Sequence, residues 1–311
     1  MVPLFLGAAL PPPLVGRQFL ATTFGAVPVV LMAVPVGLYL WGVARNDRLH
    51  PRHPWSKGRT VAFVAGMVVT AIAILSFIGV YDTTLFWDHM VQHLALIMVA
   101  GALFAVGSPF ELAWRATTGA AHRLVAQLLR SPVARAFGNP FVAYVTYAVI
   151  IPVTHLTVVY NYTLRTETAH NTEHILYLLV GYLFWRQIFG SDPKRVRLYP
   201  ALKALFLFVA VPIDTFVGLS LDNETHEIFP AYTAMHRTWG LSLVRTLHVG
   251  GVIMWVGGDS LMMLALIPVF VEWMRLEERK AERLDRELDA AELEASVAPG
   301  APAGGAPQPV R

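Results

Sequence analysis

Two pairs of histidines stand four residues apart in this chain: His89 with His93, and His170 with His174. On a helix that spacing puts both imidazoles of a pair on one face, a turn apart, where they can reach a single ion. The first pair lies in Trp87-Asp88-His89-Met90-Val91-Gln92-His93, where Met90 occupies a neighbouring row and Asp88 and Gln92 form a second polar row able to orient the rings from behind. The second lies in His170-Asn171-Thr172-Glu173-His174, where Glu173 is close enough to His170 to accept an imidazole N–H or to bind metal itself. His155, with Tyr160 and Asn161 beyond it, supplies a fifth imidazole. The chain has no cysteine, which excludes disulfides and thiolate metal sites. A bound metal must then use histidine, methionine, carboxylate or backbone. Four nitrogens suit Cu(II), and fewer with a methionine suit Cu(I). The string His-x-x-Glu-His also matches an inverted zinc-protease motif, but the motif is short and no catalytic domain surrounds it.

The elements that carry these residues are apolar. Of 311 residues 55% are hydrophobic and 14% charged, and several stretches reach the length of about 20 apolar residues that spans a hydrocarbon core of roughly 30 Å. The sequence predicts an all-α, polytopic transmembrane bundle of about seven helices at residues 20–44, 60–80, 87–107, 140–160, 169–189, 200–221 and 241–271. Residues 1–19 are expected as an outer segment. Their apolar run has no basic start and is broken by Pro11, Pro12 and Pro13, so it is not read as a signal peptide.

Positive residues are retained on the cytoplasmic side, and their distribution here is lopsided. The first connection holds Arg45, Arg48, Arg52, Lys57 and Arg59; the third Arg115, Arg123, Arg130 and Arg135; the fifth Arg186, Lys194, Arg195 and Arg197. The second connection has none, the fourth has Arg165 alone, and the sixth mixes Asp222, Glu224 and Glu227 with Arg237. This predicts the N-terminus outside and the C-terminus inside a cell membrane of bacterial type. Of eleven histidines, His50, His53 and His122 then fall inside, while the five above and His226, His236 and His248 fall outside. A single histidine at a helix end commonly caps the helix or faces water. Two pairs at helical spacing inside membrane helices fit that poorly, because polar groups at such depth are usually functional.

The net charge of +3 is accounted for by the inside connections and calls for no nucleic-acid partner. Residues 110–135 alternate basic and apolar residues as a helix lying in the membrane interface would. Residues 272–295, dense in Glu, Arg and Leu, are expected to carry the last helix into solvent, and 296–311 form an Ala/Pro/Gly-rich tail expected to be disordered. Asp214 and Asp259 place carboxylates within predicted spans, so each is a candidate functional group.

Taken together, several residues resemble the CtaG-like assembly factors of caa3-type cytochrome c oxidases, a family of seven-helix membrane proteins. The resemblance covers residues 20–270. It rests on His89-Met90-Val91-Gln92-His93-Leu94 followed by Ser108-Pro109, Asn139-Pro140, His155 with Tyr160, His170-Asn171-Thr172-Glu173-His174, Gly181 with Phe184-Trp185, and Gly251-Val252-Ile253-Met254-Trp255. The chain departs from the family pattern at Thr157, where a proline is expected, at Trp185-Arg186-Gln187 in place of Trp-Trp-Pro, and near Thr246, where an acidic residue is missing and His248 stands close by. The resemblance implies a non-catalytic oxidase assembly factor that handles copper at the outer face for a cytochrome c oxidase subunit.

The expected copper ligands are His89, His93, His155, His170 and His174, with Glu173, Met90, His248 and Asp214 as further candidates. A haem held by two histidines of facing helices, and a metal or proton transporter using Asp214 and Asp259, are the alternative readings. Membrane lipid is the expected surrounding, and the sequence leaves self-association open.

Overall fold

The computed structural model describes residues 26–192 and 197–297; the expectations for 1–19 and for the tail beyond 297 lie outside the described residues. These residues are all-helical, with no strand among them. Five helices are long and apolar enough to cross a membrane. They are α1 (Ala26–Leu49), α2 (Lys57–Leu75) with its continuation α3 (Phe77–Tyr81), the run from α4 (Phe86–Leu94) to α6 (Pro109–Ala116), α12 (Pro200–Asp222) and α14 (Leu243–Val297). The other two predicted spans are helical as well. α9 (Pro140–Leu156) is apolar but only 17 residues long, and α11 (Glu167–Ile188) carries the second histidine pair and Glu173. Both histidines of that pair and Glu173 are buried in the bundle, while Asn171 and Thr172 between them are exposed.

The run from α4 to α6 forms the centre. Between α4 and α5 (Gly101–Gly107) the helix widens into a π-helical segment, Ala95–Ala100, that begins two residues after His93. Such widened turns recur at functional sites because they rotate one stretch of helix relative to the next. Helix α2 packs on one side of this run, α11 on another and α14 on α4, while α9 bridges α11 and α12. Glycines permit the closest crossing. A Cβ at Gly181 would stand 2.4 Å from the Ile97 carbonyl, and one at Gly101 would stand 2.7 Å from the Gly181 backbone. The Trp185 indole fixes the same crossing by donating to Ile97 O at 3.0 Å.

Local signals set several ends. Asn139 caps α9 by accepting from Phe141 N, with Pro140 in the first turn. Ser108, at φ 49°, ends α5 in the left-handed conformation, and Pro109 starts α6. The segment expected as one helix over 110–135 is instead three: α6, α7 (Gly119–Arg130) and α8 (Pro132–Phe137). The breaks fall at extended Thr117 and Thr118, followed by Gly119 at φ +60°, and at Ser131-Pro132. The last helix does run on without a break through the charged stretch to Val297. The remaining pieces, α10 (Val158–Thr163) and α13 (Pro230–Thr233), are short and fold over one end of the bundle.

Gly181→Ala is expected to cost about 1–3 kcal/mol through backbone overpacking. Gly37→Ala, where a Cβ meets nothing within 4 Å, is expected to stay within about 0.5 kcal/mol of the parent. Thermal unfolding of the two variants in detergent checks the contrast.

Candidate metal centre

The two histidine pairs face each other where α4 meets α11. Ring centroids of His89 and His93 are 4.2 Å apart, those of His89 and His170 5.1 Å, and those of His170 and His174 4.4 Å. His155 of α9 closes on His93 at 5.0 Å. All five imidazoles are buried, as is Glu173. The structure therefore brings together the five histidines that the sequence singles out, but it does not use them alike.

The difference lies in which ring nitrogens are free. His155 Nδ1 faces the Ile151 carbonyl at 2.8 Å, and a carbonyl can only accept, so Nδ1 carries the proton. His155 Nε2 is then the acceptor for His93 Nδ1–H at 3.0 Å, which leaves His93 Nε2 bare. His89 Nδ1 faces the Asp82 carbonyl at 3.2 Å, so it too donates there and leaves Nε2 bare. His170 Nε2 donates to the Asp82 carboxylate at 3.0 Å, so in the neutral ring Nδ1 is the bare nitrogen. Glu173 Oε1 is engaged by the Tyr177 hydroxyl at 3.0 Å, and Oε2 is not. His89 Nε2, His93 Nε2, His170 Nδ1 and Glu173 Oε2 are all buried without a hydrogen-bond partner. Three of these, on His89, His170 and Glu173, lie together, and buried lone pairs left unpaired are costly unless a cation answers them.

His89, His170 and Glu173 each present a ligand atom, all within 4.8 Å of one another. Ligands about 2 Å from one ion stand roughly 3.3 Å apart, so small side-chain rotations complete the geometry. Glu173 Oε2 is 3.9 Å from both His89 Nε2 and His170 Nδ1. The group Asp82, His170 and His174 is equally compact but already spent. His174 Nε2 donates to Gln92 Oε1 at 2.9 Å, and Gln92 Nε2 donates to Asp82 Oδ2 at 3.0 Å and to the Ala73 carbonyl at 2.9 Å.

Asp82 is the residue that sequence reasoning missed. It lies in the turn between α3 and α4, fully enclosed. Burial pushes its carboxyl up, but the imidazoles of His170, His89 and His174 more than offset this and hold it down at about 2. As a carboxylate it can only accept, which matches His170 donating from Nε2. Its one advance signal was its place as a carboxylate in an outer connection without basic residues. The turn is itself held down by α13: the Tyr232 hydroxyl donates to Asp82 O at 3.0 Å and meets the Tyr160 hydroxyl at 3.0 Å.

The remaining candidates lie elsewhere. Met90 packs towards Gly250 of α14. His248 Nε2 lies 2.7 Å from the Glu224 carbonyl, away from the cluster, and His226 is exposed beside Glu224. Asp214 accepts from the Tyr147 hydroxyl at 2.6 Å, and Asp259 accepts from Thr215 Oγ1 at 2.7 Å. Gln92 orients a ring as its row predicts, whereas Asp88 is buried with neither oxygen hydrogen-bonded.

A buried His/Glu cluster on two facing helices, in a multi-helix membrane bundle, narrows the comparison to one family. The sequence profile of the cytochrome c oxidase caa3 assembly factor family (Caa3_CtaG) matches residues 37–276. The chain belongs to the Caa3_CtaG family. The match takes in every residue of the cluster, together with Asp82 and the lid residues Tyr160 and Tyr232. Among curated proteins, uncharacterized proteins of Mycobacterium leprae and Mycobacterium bovis are 28% and 30% identical over 296 and 300 residues. Each alignment covers 92% of this chain, which spans only 44% of the length of either relative. No solved structure matches this Caa3_CtaG chain.

Asp82→Asn removes the ionised acceptor that fixes His170 and is expected to lower affinity for a divalent probe such as Zn(II) by about 10–100-fold. Asp88→Asn, which touches no ligand, is expected to leave it unchanged. Competition titration of the metal-free protein in detergent reads both.

Proposed function

We propose that this Caa3_CtaG protein is a copper carrier: it binds a copper ion through His89, His93, His170 and Glu173 and passes it to a cytochrome c oxidase subunit during assembly. The observation that carries the reading is the set of four buried, unpartnered ligand atoms, three of them imidazole nitrogens whose protons are tied up on the far side of each ring. Three neutral imidazoles and one carboxylate suit Cu(II), with a net charge that leaves part of the cation uncompensated. His155 and His174 act as positioning residues in this reading, because the nitrogens that would reach the ion serve His93 and Gln92 instead.

The copper is cargo and the protein performs no bond-making chemistry on it. Family membership supplies the destination, oxidase assembly. The lopsided Lys and Arg distribution supports an outer location for the cluster, with α9 and α11 completing seven spans in the cell membrane. The haem alternative is disfavoured by the packing of the rings, since imidazoles with centroids 4.2–5.1 Å apart leave no slot for a porphyrin between them.

The test is a Cu(II) titration of the full, metal-free chain in detergent. Wild type is expected to bind one ion at the cluster. His89→Ala and Glu173→Gln are each expected to weaken it by about two orders of magnitude, about 2.7 kcal/mol. Binding that is equally poor in wild type and both variants would contradict the assignment. In cells lacking the gene, the wild-type chain is expected to restore the copper content of the oxidase and His89→Ala to fail.

A further inference from the structure

Beneath the cluster lies a second, smaller feature. A cavity of about 10 Å³ is lined by His93, His155, Tyr147, Asp214, Met98 and Met254, among others. Tyr147 and His155 are eight residues apart on α9, about 12 Å along the helix, so the lining residues reach from the imidazole layer towards the interior of the bundle. At its outer end His93 Nε2 has no partner. At its inner end the Tyr147 hydroxyl donates to Asp214 Oδ1 at 2.6 Å, while Oδ2 is buried without a partner. The carboxylate is pressed onto α14, where a Cβ at Gly258 would meet Asp214 Oδ2 at 2.8 Å. Met98 and Met254 also line the cavity, and both are buried.

A carboxyl held in an apolar bundle is neutralised either by a proton or by a cation, and no cationic side chain lines this cavity. The cavity has room for one water or one small ion. Two thioethers beside one carboxylate form a soft donor set that favours Cu(I) over hard cations, and a monovalent ion neutralises the single negative charge. We propose that this cavity is a second metal site of different softness, taking one monovalent soft cation, Cu(I) or its congener Ag(I), between Met98, Met254 and Asp214. His93 belongs to both compartments and links them. The inference rests on the reading of the cargo as copper, but on different residues from the outer cluster.

The probe is Ag(I), which is redox-inert, added to the full metal-free chain in detergent and followed by competition titration and silver X-ray absorption. Because the chain has no cysteine, any sulfur neighbour of the metal is a methionine. Wild type is expected to show sulfur scattering. Met98→Leu with Met254→Leu, a volume-conserving pair, is expected to abolish it and to lower Ag(I) affinity by at least about tenfold while Cu(II) binding is unchanged. Asp214→Asn is expected to weaken Ag(I) similarly, whereas Glu173→Gln weakens Cu(II) alone. Thermal unfolding shows whether each variant folds.

Ag(I) bound equally by wild type and the double methionine variant, or not bound by wild type so that the cavity holds ordered water only, would overturn this proposal while leaving the outer cluster standing. Methionine-dependent Ag(I) binding in a protein that fails to bind Cu(II) would support the cavity and overturn the cluster.

Discussion

The site depends on one buried anion. Asp82 receives hydrogen bonds on its carboxylate from His170 of α11 and Gln92 of α4, and on its carbonyl from Tyr232, with His89 Nδ1 facing the same oxygen. Each of these contacts does two things at once. It ties separate helices to the turn between α3 and α4, and it commits the proton of His89 and of His170 to the side of the ring facing away from Glu173. His155 does the same for His93 by relaying the Ile151 carbonyl through its own ring. Neutral imidazole has one proton and two nitrogens, so fixing the proton fixes the lone pair. On the proposed reading, the cluster is thereby arranged for a cation before any cation arrives, which reduces the reorganisation that binding would otherwise require.

The bundle is built to hold α4 and α11 close enough for this to work. Bare backbone at Gly101 and Gly181 lets α11 touch the stretch that continues α4, the π-helical turn and the start of α5, and Trp185 reaches across to that turn at Ile97. A side chain at either glycine would push α11 away from that stretch and from the histidine pair that precedes it. The widened turn begins at Ala95, two residues after His93, and its Ile97 carbonyl is the one that receives Trp185.

Much of this was legible in the sequence, and the limits are physical ones. The paired histidines and Glu173 could be found because spacing along one helix is a local property that tertiary structure does not alter. The all-helical class followed from the long apolar runs. The division of labour among the five histidines could not be read, because whether His155 offers a nitrogen to a metal or to His93 depends on a carbonyl one turn away and on a ring from another helix. Asp82 escaped notice because it acts across the fold, 88 residues before His170. The break of 110–135 into three helices was written in Gly119 and Ser131-Pro132, turn signals that the basic and apolar alternation obscured. α11 reads as a poor membrane span in part because it carries His170, Glu173 and His174, which are turned inward.

The central claim is that each of the three imidazoles of His89, His93 and His170, in metal-free protein, already has its proton committed and its other nitrogen bare. Nitrogen-15 NMR of histidine-labelled, metal-free protein at neutral pH tests it most directly, because protonated and bare ring nitrogens resonate far apart. The account predicts neutral rings with the proton on Nδ1 of His89 and His93 and on Nε2 of His170, assigned by single substitutions and unaveraged by tautomer exchange. Doubly protonated rings, the opposite tautomers, or rapid exchange between the two at these three residues would contradict it.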